Sequence, residues 1–192
     1  MYARVVILVL STFLVLPAVA DAQADDRPSP ESMAQVVESI EFLDRLRSTL
    51  AESLLESDEE VDEETFGRVC RPVGQQAARL SRENPWTVGQ MAVRYRNPGH
   101  QADDQARTIH RLMEDRPDLQ AVWVHSQREG SRGYRYFRRI TVEQSCLACH
   151  GAREERPEFV RERYPEDRAF GFEAGDLRGV YSVFVPLEAE PD

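Results

Sequence analysis

Lysine is missing altogether: the 24 basic residues are all arginine, set against 34 Asp and Glu, for a formal net charge of −10. The missing lysine reflects genome composition more than chemistry, but the missing surplus of cations excludes a class of partner. Nucleic acid and anionic membrane faces are bound by clustered cations that neutralise phosphate, and an acidic chain offers few. Cysteine is scarce too, with only Cys70, Cys146 and Cys149. An odd count in an exported protein does not fit a disulfide framework. A chain of 192 residues buries a sizeable core without such staples. The three thiols need another explanation.

Long apolar runs are absent after residue 20, which leaves no later segment able to cross a bilayer. The exception opens the chain. Arg4 supplies a positive start, Val5 to Ala20 is apolar apart from Ser11 and Thr12, and Ala18-Val19-Ala20-Asp21-Ala22 is rich in small residues. That order is the order of a secretory signal peptide, cut after Ala20 or Ala22. The run falls slightly short of the roughly 20 residues of a full span, so an uncleaved membrane anchor is the lesser reading. The expected organisation is a signal peptide at 1–22, a polar, proline-rich linker at 23–30 and a single domain at 31–192. The mature protein is expected in the periplasm or otherwise exported, touching a membrane only if the signal segment is uncleaved.

Within that domain, Ser29-Pro30-Glu31 reads as a helix start, with Ser as N-cap and Pro at the first helical position. Met33, Val36, Val37, Ile40, Leu43, Leu46, Leu50 and Leu54 then recur at helical spacing, up to the acidic stretch Ser57-Asp58-Glu59-Glu60. A second helix is expected over Glu63 to Glu83, with Phe66, Val69, Cys70, Val73, Ala77 and Leu80 on one face and a kink or break at Pro72. Thr87 to Tyr95 reads as a strand closed by the turn signal Asn97-Pro98-Gly99, and Asp103 to Asp115 as a helix. Leu119 to Ser126 and Tyr134 to Val142 read as strands joined by a hairpin through Glu129 to Gly133. A short helix around Pro157 to Arg163 and a last strand over Gly179 to Leu187 complete the chain. A helical pair followed by a small antiparallel sheet with helical insertions is an α+β arrangement.

The chemistry concentrates at Cys146-Leu147-Ala148-Cys149-His150. Two cysteines two residues apart, then an adjacent His, is the pattern of c-type haem attachment. Two thiols one turn apart can each add to one haem vinyl group, and the following His lies beneath the ring where its imidazole can bind iron. One covalent haem c, held by Cys146 and Cys149 with His150 as an iron ligand, accounts for the cysteines. Gly151 removes side-chain bulk just after the ligand. A redox dithiol would expect a thioredoxin-like βαβ setting, which is not found. A Cys₃His zinc site using Cys70 is the stronger rival, although adjacent Cys149 and His150 would both have to turn toward one metal.

The iron's sixth position can be filled or left open. Candidates are Cys70, His100, His110, His125, Met91 and Met113. His110, in a helical stretch, has solvent exposure as its plain alternative; His100 lies at a turn and His125 near a strand end. Met91 and Met113 occupy apolar positions typical of a core. Cys70, on its helix's apolar face, could be a buried inert thiol. Bound to iron it would be a thiolate, which stabilises Fe(III) and lowers the reduction potential, whereas Met does the reverse. Arg94, Arg96, Arg138 and Arg139 could pair with haem propionates, since guanidinium suits bidentate carboxylate recognition; on alternating strands, solvation is the plainer expectation for each.

Several further stretches carry a family resemblance. These are Val69-Cys70, Trp86-Thr87-Val88-Gly89, Arg94-Tyr95-Arg96-Asn97-Pro98 and Phe137-Arg138-Arg139-Ile140, then Cys146 to Gly151, Tyr164 to Ala169 with Gly171, Gly175-Asp176-Leu177-Arg178-Gly179 and Ser182-Val183. In this order the chain resembles the Tll0287-like haem family. The resemblance implies a PAS-like fold, a His/Cys axial pair carried here by His150 and Cys70, and a role in sensing redox state or a small ligand such as NO. After Asn97-Pro98 the chain departs from the family pattern, reading Gly99-His100-Gln101-Ala102-Asp103-Asp104. With no kinase, cyclase or methyl-acceptor segment attached, a signal would pass to a separate, unidentified partner protein. A periplasmic electron-transfer cytochrome, served by a redox partner, is the alternative. A peroxidase-like enzyme is weaker, because His100 is the one loop-borne candidate for its distal acid/base group; no enzymatic activity is expected.

Overall fold

The computed structural model describes residues 27–54 and 61–187. The expected signal peptide and the acidic stretch at Ser57 to Glu60 lie outside the described residues. Helix α1 spans Pro30–Glu52, with the Ser29 hydroxyl accepting from the Ser32 N–H at 3.1 Å as its cap. Helix α2 spans Glu63–Glu83; the Asp62 carboxylate accepts from the Thr65 N–H at 2.8 Å, and Asn84 donates back to the Leu80 carbonyl at 3.0 Å. Pro72 lies inside α2 and does not break it. It forfeits the bond its N–H would have made to the carbonyl four residues earlier and its ring crowds that carbonyl, a cost that packing of the buried Val69, Val73, Ala77 and Leu80 offsets. Among the described residues no helix is long and apolar enough to cross a membrane.

Four antiparallel strands follow: β1 (Thr87–Met91), β2 (Ala121–Arg128), β3 (Ser131–Thr141) and β4 (Leu177–Pro186), in the order β1-β4-β3-β2. Strand β1 is shorter than its sequence suggests. After Met91 the chain turns away, and Ala92 bridges to Gln101 across a 3₁₀ turn at Pro98–His100. The β2–β3 hairpin is tighter than expected: it turns through Glu129 (φ 51°) and Gly130 (φ 85°). Positive φ at both central residues is the conformation of a two-residue hairpin turn. Helix α3 (Asp104–Asp115) is capped by Asp103, and two short helices, α4 (Leu147–His150) and α5 (Glu158–Arg163), sit in the long β3–β4 connection.

Alternation along the strands divides the core in two. Tyr136 and Ile140 of β3 and Tyr181, Val183 and Val185 of β4 face α1 and α2, where Val36, Ile40, Leu43, Val73 and Ala77 meet them. Phe137 and Val180 face the other way, onto Ala106, Ile109 and Met113 of α3. A third cluster, Val142, Ala169 and Phe172, packs beneath Cys146 and Leu147. The result is an α+β fold with a sheet covered by helices on both faces.

Candidate functional site

On the α1–α2 side of the sheet a cleft opens, enclosing about 950 Å³ together with the open solvent at its mouth. Its walls are largely apolar: Ala51 at the end of α1 and Leu54 just after it, Val69 and Val73 of α2, Ala92, Ile140 and Gly179. Cys146, Cys149 and His150 line one side, Cys70 of α2 lines it as well, and Arg47, Arg96 and Arg178 supply charge.

The cysteine–histidine segment is a compact helical structure. A 3₁₀ turn at Gln144–Cys146 runs directly into α4, so Cys146 and Cys149 stand one turn apart. An ideal Cβ on Gly151 would fall 2.7 Å from the Leu147 carbonyl oxygen, closer than carbon and oxygen can approach, so only glycine fits after the histidine. Helix α1 holds this segment in place. Arg47 reaches Glu143 at 2.9 Å and lies 3.7 Å from Cys146 Sγ, and the Ser48 hydroxyl donates to Glu143 at 2.6 Å.

His150 is oriented by the loop beyond it. Its Nδ1 lies 2.7 Å from the Ala169 carbonyl oxygen; a carbonyl can only accept, so Nδ1 carries the proton and Nε2 keeps its lone pair. Burial, with Arg178 and Arg96 nearby, holds the ring's pKa well below the usual histidine range. A neutral imidazole with one nitrogen anchored and the other free is the form that ligates metals. Asp167 fixes the anchor. Its Oδ1 accepts from the Ala169 N–H at 2.8 Å, and its Oδ2 lies 2.6 Å from Arg156 Nη1 and 3.4 Å from Arg96 Nε. Arg96 in turn donates to the Cys149 carbonyl at 2.5 Å, and Phe172 meets the His150 ring edge-on with centroids 6.1 Å apart.

All three cysteines are free thiols. Cys70 is open to the solvent of the cleft rather than packed in the core. One residue turns a helix by about 100°, so Val69 is buried while Cys70 lies at the edge of the apolar stripe. Protein atoms crowding it, followed by the neighbouring Cys149 thiol, push its pKa up to about 11. Burial likewise raises Cys149. Neither is a thiolate at neutral pH unless a cation such as a metal takes the proton's place.

The other candidate ligands separate by place. His100 and Met91 line the cleft, although Met91 Sδ also receives Arg135 Nη2 at 2.8 Å. His110 and Met113 lie on α3, behind the sheet, and His110 is buried rather than solvent-facing because it sits on the inward stripe with Ala106, Ile109 and Met113. His125 is on the hairpin, with Nε2 2.8 Å from the Tyr134 hydroxyl. Of the four arginines named as propionate partners, Arg96 lines the cleft. Arg138 pairs with Glu41 and Asp44 of α1, Arg139 donates to the Met113 carbonyl on the α3 side, and Arg94 donates to the Phe170 carbonyl and lies over the Phe172 ring. Arg47 and Arg178 are cleft residues that sequence reasoning did not single out. A signal for Arg47 existed: it follows Leu43 and precedes Leu50 and Ala51 on the inward stripe of α1, beside the buried Asp44. Among the described residues no three His, Cys, Asp or Glu side chains converge to hold a metal ion directly.

A family model described as Tll0287-like matches residues 22–186. Among solved structures, the crystal structure of the cyanobacterial heme-protein Tll0287 is similar: 44% of the sequence is identical, the TM-score is 0.73, and the match covers 84% of this chain and 100% of that one. No curated protein matches. A match over nearly the whole described chain, in sequence and in shape together, places the chain in the Tll0287-like family.

Proposed function

We propose that the protein binds one haem in the cleft, joined through thioether bonds to Cys146 and Cys149, with His150 and Cys70 as the axial pair. The observation that carries this reading is the joint presence of all four residues on one apolar cleft, with His150 anchored through Nδ1. The solved relative is described as a heme-protein, which supports the same assignment. A haem bound here would supply an iron centre able to change oxidation state and take small ligands. The protein's own residues do the rest. Ala169 orients His150, Arg96 and Asp167 fix that loop, and Arg178, which has no carboxylate pair among the described residues, is available to a propionate, with Arg47 and Arg96 nearby.

The position of Cys70 supports a role as a redox or small-ligand sensor. Cys70 belongs to α2, which packs with α1 on the sheet, so a change in the bond its sulfur makes bears on the placement of that helix. The four-stranded antiparallel sheet with helices on both faces supports a PAS-like fold for residues 31–192. The apolar opening of the chain supports a signal peptide at 1–22 and export. An electron carrier, in which both axial bonds persist, is the second reading; no enzymatic role is proposed.

Protein expressed with a working cytochrome maturation system is expected to keep its pigment through acid–acetone extraction, and to lose that resistance as Cys146→Ser with Cys149→Ser. The ferric spectrum is expected to be low-spin and red-shifted, and Cys70→Ala to convert it to a high-spin or His-like form. An unchanged spectrum in Cys70→Ala removes Cys70 from the iron. Binding of CO or NO to the reduced protein supports the sensor, and refusal of both in either redox state supports the carrier.

A further inference from the structure

The opposite face of the sheet carries a second cleft, beside α3. It encloses about 1360 Å³ with its mouth and is lined by Arg94, Arg107, Arg111, Arg139 and Arg178, with His110 among them. Five guanidiniums gathered in one place run against the net charge of −10. Two acids, Asp176 and Glu114, share the wall, which leaves the five arginines in excess. Asp176 Oδ2 accepts from the Glu173 N–H at 2.9 Å, and Glu114 faces His110 Nδ1 at 3.4 Å. Arg107 pairs with Asp104, but Arg94, Arg111, Arg139 and Arg178 have no carboxylate partner among the described residues.

The bonds these four do make orient them without neutralising them. Arg94 donates to the Phe170 carbonyl, Arg139 to the Met113 carbonyl and Arg178 to the Arg94 carbonyl at 2.9 Å, while Arg111 is exposed on α3. Arg139 is only 5% exposed. A buried cation without a counter-ion is costly, and an anion in the cleft would relieve that cost. Burial, then Arg96 from the first cleft and Arg94 from this one, hold the Arg178 pKa down to about 10, against the opposing pull of Asp167.

We propose that this cleft binds a small oxyanion, of carboxylate or phosphate type, through Arg94, Arg111 and Arg139, with Arg178 closing the wall it shares with the first cleft. Guanidinium presents paired N–H donors that match such oxygens in bidentate fashion. The assignment does not rest on haem, since Arg94, Arg111 and Arg139 lie outside the first cleft.

The test uses the full chain, titrated with inorganic phosphate and with succinate at fixed ionic strength, by calorimetry and thermal unfolding. A saturable heat is expected for at least one of the two anions, with Tm rising by about 5–10 °C at hundredfold excess over Kd. Tighter binding of phosphate assigns a tetrahedral oxyanion, and tighter binding of succinate a carboxylate. Arg111→Gln should weaken binding about tenfold or more. Arg116→Gln, an exposed residue paired with Asp118 outside the cleft, should leave it unchanged. The proposal is overturned if neither anion shifts Tm beyond sodium chloride of equal ionic strength. It is overturned equally if Arg111→Gln and Arg94→Gln both bind with wild-type affinity.

Discussion

Removing the Asp167 carboxylate tests the arrangement that holds His150. The side chain is 1% exposed, and the two arginines it pairs with, Arg96 and Arg156, are 9% exposed each. Asp167→Ala therefore strands two buried guanidiniums and also leaves the Ala169 N–H without its acceptor. Breaking a buried ion pair from one side costs about 3–5 kcal/mol. For a domain of this size each kcal/mol shifts Tm by about 2–4 °C, so Asp167→Ala should lower it by roughly 6–20 °C. Asp167→Asn keeps the shape and can still accept from Ala169, so it should fall less. Thermal unfolding of the full chain, with the visible spectrum recorded before heating, measures both effects. The spectrum should change along with Tm, because the Ala169 carbonyl that accepts from His150 is tethered through Asp167. A Tm loss below about 2 °C in Asp167→Ala, with an unaltered spectrum, would refute the reasoning.

Gly151→Ala must displace the Leu147 carbonyl, 2.7 Å from the new Cβ; a cost of about 1–3 kcal/mol is expected, read as a lowered urea midpoint. His110 gives a pH dependence. Burial holds its pKa below the ordinary value near 6.5; Glu114 opposes that depression, and Arg139 and Arg178 add to it. The unfolded chain therefore takes up a proton that folded His110 does not, and stability falls as pH drops from about 7 toward 5. One such group contributes at most about 1.4 kcal/mol per pH unit. Urea unfolding of His110→Gln should show a shallower loss than wild type over that window; equal slopes would remove His110 from the effect.

Local rules decided much of this protein before any contact was known. The Ser29 cap, the helical stripes of α1 and α2, the hairpin and the Cys146 to His150 pattern all follow from neighbours within a few residues. Periodicity, capping and turn chemistry act at that range, so they are legible in the chain. Long-range pairing decided the rest. The end of β1 at Met91 depends on Ala92 meeting Gln101, and the burial of His110 on which face of α3 meets the sheet. Arg47 and Arg178 became cleft residues, and Arg138 an α1 partner, only through contacts between segments far apart in sequence. Alternation along β3 shows the difference plainly. It predicts that Arg138 and Arg139 face opposite ways, but which of the two faces holds the cleft is set by where α1 and α2 pack, and apolar burial at that distance leaves no local mark in the sequence.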